Sequence, residues 1–370
     1  MKNFKSILFA TLTVAIVSCD SNEITQEGTD LIASNSEFIT LNSGAIVEKQ
    51  ADNYVWQDDI LLSQAQYELL DETGDIIPSE PVEVDTLNMV RVNPITGYNL
   101  VPSHFIDTSD MRLRSTAIYP TSYNLWAMVR FTYAKTGTLA SSTKSLIQQA
   151  LAHWEANTNV RFYNATEQPT VDPTYGFAYP YVNFCDGSSN QSYVGRIDGR
   201  QDLTLVPGGC SVGTVIHEIG HAIGLLHEQC RYDRDNYITV NTSNIQSSYL
   251  SNFTKRTSNY YCIGSFDFNS IMLYSSFTGF EINTSVPAMT KKDGSTFVGQ
   301  RNGLSGLDRR FPNTVYIPYI ARSDVYRELA TTVYKPDNTI MTAAERLQLQ
   351  AELNNGNPNP PANGRIPNNF

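Results

Sequence analysis

A chain of 370 residues, 41% hydrophobic and 17% charged, has the make-up of a globular protein with enough apolar material for one large domain or two modest ones. Its formal net charge of -11 argues against a nucleic-acid binder, which would need a basic face, and is read as a solvated acidic surface that names no partner.

At the N-terminus, Lys2 and Lys5 precede an apolar run from Ile7 to Val17. The run is too short to span a membrane and matches the core of a signal peptide. It ends Ile16-Val17-Ser18-Cys19, which resembles a bacterial lipobox. That resemblance implies cleavage before Cys19, acylation of its thiol and export to the outer membrane or cell surface. An ordinary signal peptide that happens to contain a Cys is the alternative. No later segment is long and apolar enough to cross a membrane. Cys185, Cys210, Cys230 and Cys262 remain. An even count in an exported chain suggests disulfides with three possible pairings, reduced buried thiols being the alternative.

Residues 20 to about 114 read as short strands and loops, as in "YVWQDDILL" and "DTLNMVRV". From Arg114 the patterning strengthens. "MVRFTYA" alternates like a strand. In "SLIQQALAHWEANTNVRF", Leu146, Ile147, Ala150, Leu151 and Trp154 share one helical face, and His153 beside them is a surface or packing residue. "YGFAYPYVNF" is strand-like and aromatic. "SVGTVIHEIGHAIGLLHE" predicts a helix that stops at Gly224, where a left-handed turn costs little. Beyond Tyr316 the pattern decays; "TAAERLQLQAEL" predicts one short helix, and the Asn/Pro-rich tail "NNGNPNPPANGRIPNNF" is expected to be disordered.

Three of the five His of the chain fall in "HEIGHAIGLLHEQC", His217 to Cys230. His217 and His221, four apart on a helix, put their imidazoles on one face about 5–6 Å apart, close enough to share a metal. A turn at Gly224 lets His227 come back to the same point. Three neutral imidazoles with an open fourth position describe a catalytic zinc site rather than a closed structural one. Glu218 points along a different azimuth, so it can face a water without binding the metal and take its proton. Protein or peptide hydrolysis is the chemistry this predicts.

"FDFNSIMLYSS" places Met272 downstream of His227, and the extended HExxHxxGxxH pattern followed by this Met resembles the metzincins with their Met-turn. Within them, the sequence resembles the astacin family, including its bacterial flavastacin-like members. "HEQCRYDRD" with Glu228, "SIMLY" with Tyr274 two residues after Met272, "SYVGR" (Ser192 to Arg196) and "VGQRNGLSGLD" (Val298 to Asp308) carry the likeness. It covers roughly Ser115 to Tyr316.

The resemblance implies an α+β metzincin fold. Its N-terminal subdomain would hold a twisted sheet and the zinc helix, its C-terminal subdomain would be irregular, and an extended peptide would add to the sheet edge beside "YVNF". It implies one zinc ion per chain on His217, His221 and His227, with Glu218 as general base. Tyr274 would be a switchable further ligand and oxyanion donor, and Arg301 would favour Asp, then Glu, after the scissile bond. Family bridges suggest Cys185–Cys210, with Cys230–Cys262 as a local clip. Propeptides of the family resemble F-x-G-D with the Asp on the metal; "WQDDILL" fits this loosely, with Trp56 for the Phe, Asp58 for the Gly and Asp59 as the ligand. Aligning Leu125-Trp126 puts a mature N-terminus near Ala117, after the basic Arg112–Arg114, with the new amine pairing Glu228. The expected organisation is signal peptide 1–18, propeptide 19–114, catalytic domain 115–316 and C-terminal extension 317–370. The precursor would touch a membrane only through its lipid, and cutting would release the enzyme. Two readings stay open: a surface-anchored binding lipoprotein with a vestigial zinc site, against which the intact Glu218 stands, and a peptidase of a sister metzincin family, against which Glu228 and Tyr274 stand.

Overall fold

In a computed structural model of the chain, the described residues are 37–77, 116–118, 124–256, 260–262, 264–320 and 326–359. The signal segment with Cys19, "DTLNMVRV", Arg112–Arg114 and the tail past residue 359 lie outside them.

Strands β1 (Glu37–Thr40), β2 (Ile46–Gln50), β3 (Asn53–Trp56) and β4 (Ile60–Leu62) form an antiparallel meander. The step from β3 to β4 holds Gln57 and Asp58 at φ 53° and 80°. Asp is among the few side chains that tolerate the left-handed region. Helix α1 (Gln64–Thr73) follows, opened by a capping box between Ser63 and Gln66 and closed by a left-handed Gly74. The expectation of strands and loops missed α1, because it buries only Gln66 and Leu70 and so shows no apolar stripe.

Next come β5 (Ala117–Ile118), β6 (Val129–Tyr133), α2 (Ser141–Asn157), β7 (Phe162–Asn164), β8 (Tyr181–Asp186), β9 (Ser192–Tyr193), β10 (Arg200–Leu205) and α3 (Val212–Ala222). Strands β10-β8-β6-β7 make a parallel sheet. Helix α2 buries Ile147, Ala150, Leu151 and Trp154, and the Trp154 indole donates to Ile216 O, joining α2 to α3.

Two expectations fail here. The aromatic lead Tyr175 to Pro180 is not strand, and Tyr175 and Phe177 are exposed. "YVNF" belongs to β8, which has a hydrogen-bonded neighbour on each side, so no peptide can add there. The edge is one step further out. Gln191 exchanges backbone hydrogen bonds with Thr204 of β10, and β9 continues from it. There β4 adds in parallel, with Ser192 N donating to Asp59 O at 2.9 Å. The meander is thereby stitched to that edge, in the order β1-β2-β3-β4-β9.

After α3 the chain is irregular, with β11 (Ile238–Val240), β12 (Tyr260–Tyr261), β13 (Met289–Lys291), α4 (Arg310–Val315), β14 (Tyr319–Ile320), β15 (Glu328–Leu329) and α5 (Ala343–Leu353). β11 pairs with β13, β12 with β5 and β14 with β15, all antiparallel. The fold is α+β. The chain past Tyr316 keeps more order than its pattern promised: Ile317, Tyr319, Leu329, Val333, Leu349 and Leu353 form a small core of their own. Asn159 ties it down, donating to Tyr334 O and accepting from Tyr334 N.

Neither expected bridge, Cys185–Cys210 nor Cys230–Cys262, is seen among the described residues. Cys185 sits in β8 opposite Thr204, while Cys210 lies past the end of β10. The Cys230 thiol donates to Asn252 O at 3.2 Å and receives Gln57 Nε2 at 3.5 Å, so it is turned to other partners than Cys262.

Candidate metal centre and cleft

The site starts from the N-terminus of α3. Ser211 and Thr214 cap each other's backbone amides there. A Cβ at Gly213 would land on the carbonyl oxygen of Arg301, so the loop carrying Arg301 crosses the helix in backbone contact. The regular helix ends at Ala222, two residues short of the expected stop. Gly224 then takes a φ of 108°, open to glycine, and turns the chain so that His227 returns under the helix.

His217, His221 and His227 meet Asp59, with one candidate ligand atom from each lying within 4.8 Å of all the others. Asp59 Oδ2 lies 3.2 Å from His217 Nε2 and 3.1 Å from His227 Nε2, and Oδ1 lies 3.6 Å from His221 Nε2. Donors about 2.0–2.1 Å from a tetrahedral centre are about 3.3 Å apart, so the spacing suits zinc.

The proton inventory points the same way. His217 Nδ1 faces Ile271 O at 2.8 Å and His221 Nδ1 faces Leu225 O at 2.9 Å. A carbonyl oxygen only accepts, so each Nδ1 carries the hydrogen and each neutral ring turns a bare Nε2 lone pair toward the carboxylate. Burial pushes His217 down to about 3 and lowers His227 too, keeping these rings neutral. Lone pairs facing a carboxylate without a proton between them call for a cation. The cluster is compatible with one zinc ion.

Beneath it, Ser270 Oγ donates to Asp308 Oδ1 at 2.7 Å and Ile271 N to Oδ2 at 2.9 Å. Asp308 so fixes the turn whose Ile271 carbonyl orients His217. Met272 is buried there, and its carbonyl accepts from Glu228 N at 3.1 Å. Glu218 is buried within α3 beside the first imidazole. Glu228 lies away from the metal donors, taking Thr116 Oγ1 at 3.1 Å, Asp267 N at 2.9 Å and Arg231 at 3.3 Å. Burial pushes its carboxyl up to about 8, although Arg231 pulls the other way.

The Tyr274 ring lies 4.7 Å from that of His227, tilted 54° to it. Its hydroxyl donates to Gln57 O at 2.9 Å, and burial holds the phenol well above its ordinary range, so it is a hydrogen-bond donor here. Arg301 is half-buried, with Nη1 donating to Ile271 O at 2.8 Å and Gln300 O at 3.0 Å. His153 packs as expected: it is half-buried, and its Nε2 accepts from Leu304 N at 3.2 Å, just past the Arg301 loop. Two residues of the site carry no separate signal in the sequence: Asp308, which acts on the turn from within the "VGQRNGLSGLD" segment, and Gln57, which acts through a backbone carbonyl that no side-chain pattern reveals.

Among known proteins, residues 119–317, more than half of the chain, match the family model for the astacin peptidases. Blastula protease 10 of Paracentrotus lividus is 39% identical over 182 residues, 48% of this chain and 30% of that protein. Flavastacin of Elizabethkingia meningoseptica is 35% identical over 196 residues, 52% of this chain and 42% of that protein. The match therefore spans less than half the length of either relative. Among solved structures, high choriolytic enzyme 1, a hatching enzyme zinc-protease from Oryzias latipes, aligns over 52% of this chain and 93% of that one at 28% identity, with a TM-score of 0.44.

Proposed function

The chain belongs to the astacin family of peptidases, and from that premise we propose that it is a zinc-dependent endopeptidase held latent by its own N-terminal segment. The observation that carries the reading is the convergence of His217, His221 and His227 with Asp59 of that segment. A zinc ion held by the three imidazoles would polarise a scissile carbonyl and make an attacking water more acidic. Glu218 would take the proton of that water at a carboxylate oxygen and pass it to the leaving amine. Tyr274 would donate its phenolic hydrogen to the oxyanion that develops. Arg301, beside His217, would pair with an acidic side chain after the scissile bond.

Latency rests on three contacts. Asp59 fills the donor position a substrate or water would need, Gln57 O occupies the Tyr274 hydroxyl, and β4 takes up the β9 edge. Cutting near Ala117 would undo all three. Thr116 Oγ1 holds Glu228 in the uncut chain, and a new amine one residue on could replace it there. Release from a lipid on Cys19 would follow from the same cut, leaving an extracellular or periplasmic enzyme.

Casein digestion by the processed enzyme should be blocked by a chelator, and Glu218→Ala should bind zinc yet lose activity by more than tenfold. A variant retaining a tenth or more of wild-type activity would remove Glu218 from the base role. Uncut Asp59→Ala should digest casein where uncut wild type does not. Equal silence of the two would clear Asp59 of the block, and an uncut wild type already active would end the latency reading.

A further inference from the structure

Arg256 is a buried cation, with 4% of its side chain exposed, and its partners come from one place. Its guanidinium lies 4.0 Å over the ring of Trp56, Nη2 reaches Gln57 Oε1 at 3.5 Å, and Nη1 lies 3.6 Å from Asp75 Oδ1. All three belong to the segment before residue 78 that the proposed maturation removes. On the other side, Arg256 N donates to Cys230 O at 2.7 Å, which anchors the backbone to the wall following the third His. Both oxygen contacts are long, and Nε has no acceptor. A buried charge so loosely met gains from a better partner.

We propose that in the processed enzyme Arg256 sets substrate specificity, binding the carboxylate of a substrate Asp or Glu at a subsite separated from the scissile bond. The inference rests on the proteolytic reading above and on the cleft that the segment fills. Asp59 sits at the imidazoles, the Gln57 carbonyl at Tyr274 and Trp56 against Arg256; the chain turns back at Gln57 and Asp58, with Trp56 paired to Ile60, so Arg256 meets the segment on the strand that leads into this turn, beside the residue that holds Tyr274 and apart from the metal donors. A substrate lying along β9 would take the place of β4, next to the strand that carries Trp56. The segment meets the guanidinium with a ring face, an amide oxygen and a distant carboxylate, each electron-rich and none bidentate. A substrate carboxylate supplies the paired acceptors a guanidinium fits best. Arg301 lies elsewhere, against the Met272 turn, so the two arginines read different substrate positions.

The test uses processed enzyme and peptides cut at one bond, with Asp or the isosteric Asn at each of the four positions on either side. Wild type should favour Asp over Asn in kcat/KM by about tenfold at one position not adjoining the bond, as a charge-assisted hydrogen bond would give. Arg256→Gln should bring that ratio to near one, and Arg256→Lys should leave part of it. Arg301→Ala should keep the distant preference and lose the one after the bond. A wild-type ratio near one at every distant position, an aromatic preference there instead, or an unchanged ratio in Arg256→Gln overturns the proposal. If Arg256→Gln is too unstable to assay, Arg256→Lys decides, since a point charge in place of a fork must weaken the preference and an unchanged ratio overturns it. Wild type that cuts none of the peptides overturns both this inference and the proteolytic reading, whereas cutting without a distant preference overturns this inference alone.

Discussion

The phenol of Tyr274 is engaged in the uncut chain, donating to Gln57 O. If it serves the oxyanion once that carbonyl is gone, Tyr274→Phe in the processed enzyme should lower kcat by about 10²–10³-fold with zinc content unchanged. Steady-state kinetics beside metal analysis checks this, and an unaltered kcat would take Tyr274 out of the chemistry. Arg301 has two tasks to separate. Its Nη1 holds the Ile271 carbonyl, which also orients His217. Arg301→Ala should therefore abolish acidic enrichment after the scissile bond in cleavage-site profiling and weaken zinc binding by a few-fold. Wild-type profiles with no acidic enrichment would contradict the specificity role.

At the scale of elements, the metal centre depends on how closely α3 and the Arg301 loop approach. Gly213 is the point of contact, and the atom it faces is a backbone oxygen that no rotamer change can move. Gly213→Ala should cost about 2–3 kcal/mol and loosen zinc, because overpacking against backbone forces the helix or the loop to shift. Denaturant midpoints and competition with a metal-sensitive chelator dye measure the two effects. A variant as stable and as tightly metallated as wild type would mean that the loop moves freely. The β9 edge is the second decisive element. It accepts β4 in parallel because the Gln191–Tyr193 stretch is the only outer face left beside β10 among the described strands.

Across the whole molecule, zinc would bridge two stretches of chain, with Asp59 on one side of residues 78–115 and the three His on the other. Chelation of the uncut protein should then lower its Tm by several degrees and open residues 37–77 to limited proteolysis, since a ligand of the folded state stabilises whatever it ties together. In Asp59→Ala the proteolytic opening should already be present before chelation. A segment equally protected with and without metal in both proteins would show that packing of Trp56 and α1 holds it alone. The sequence by itself determined the metal-binding pattern: His217 and His221 one helical turn apart, Gly224 to turn the chain and His227 to close the set, all short-range spacings fixed by helix geometry and the left-handed region, whereas Met272, far along the chain, was legible only through the family likeness. Only the tertiary structure decided what meets across the chain. It put "YVNF" inside the sheet and left β9 as the edge, turned the Cys230 thiol toward Asn252, folded the residues after Tyr316 into a core, and set Trp56 and Gln57 against Arg256. These are contacts between residues tens to hundreds of positions apart, chosen by burial and backbone pairing, and local spacing holds no record of them.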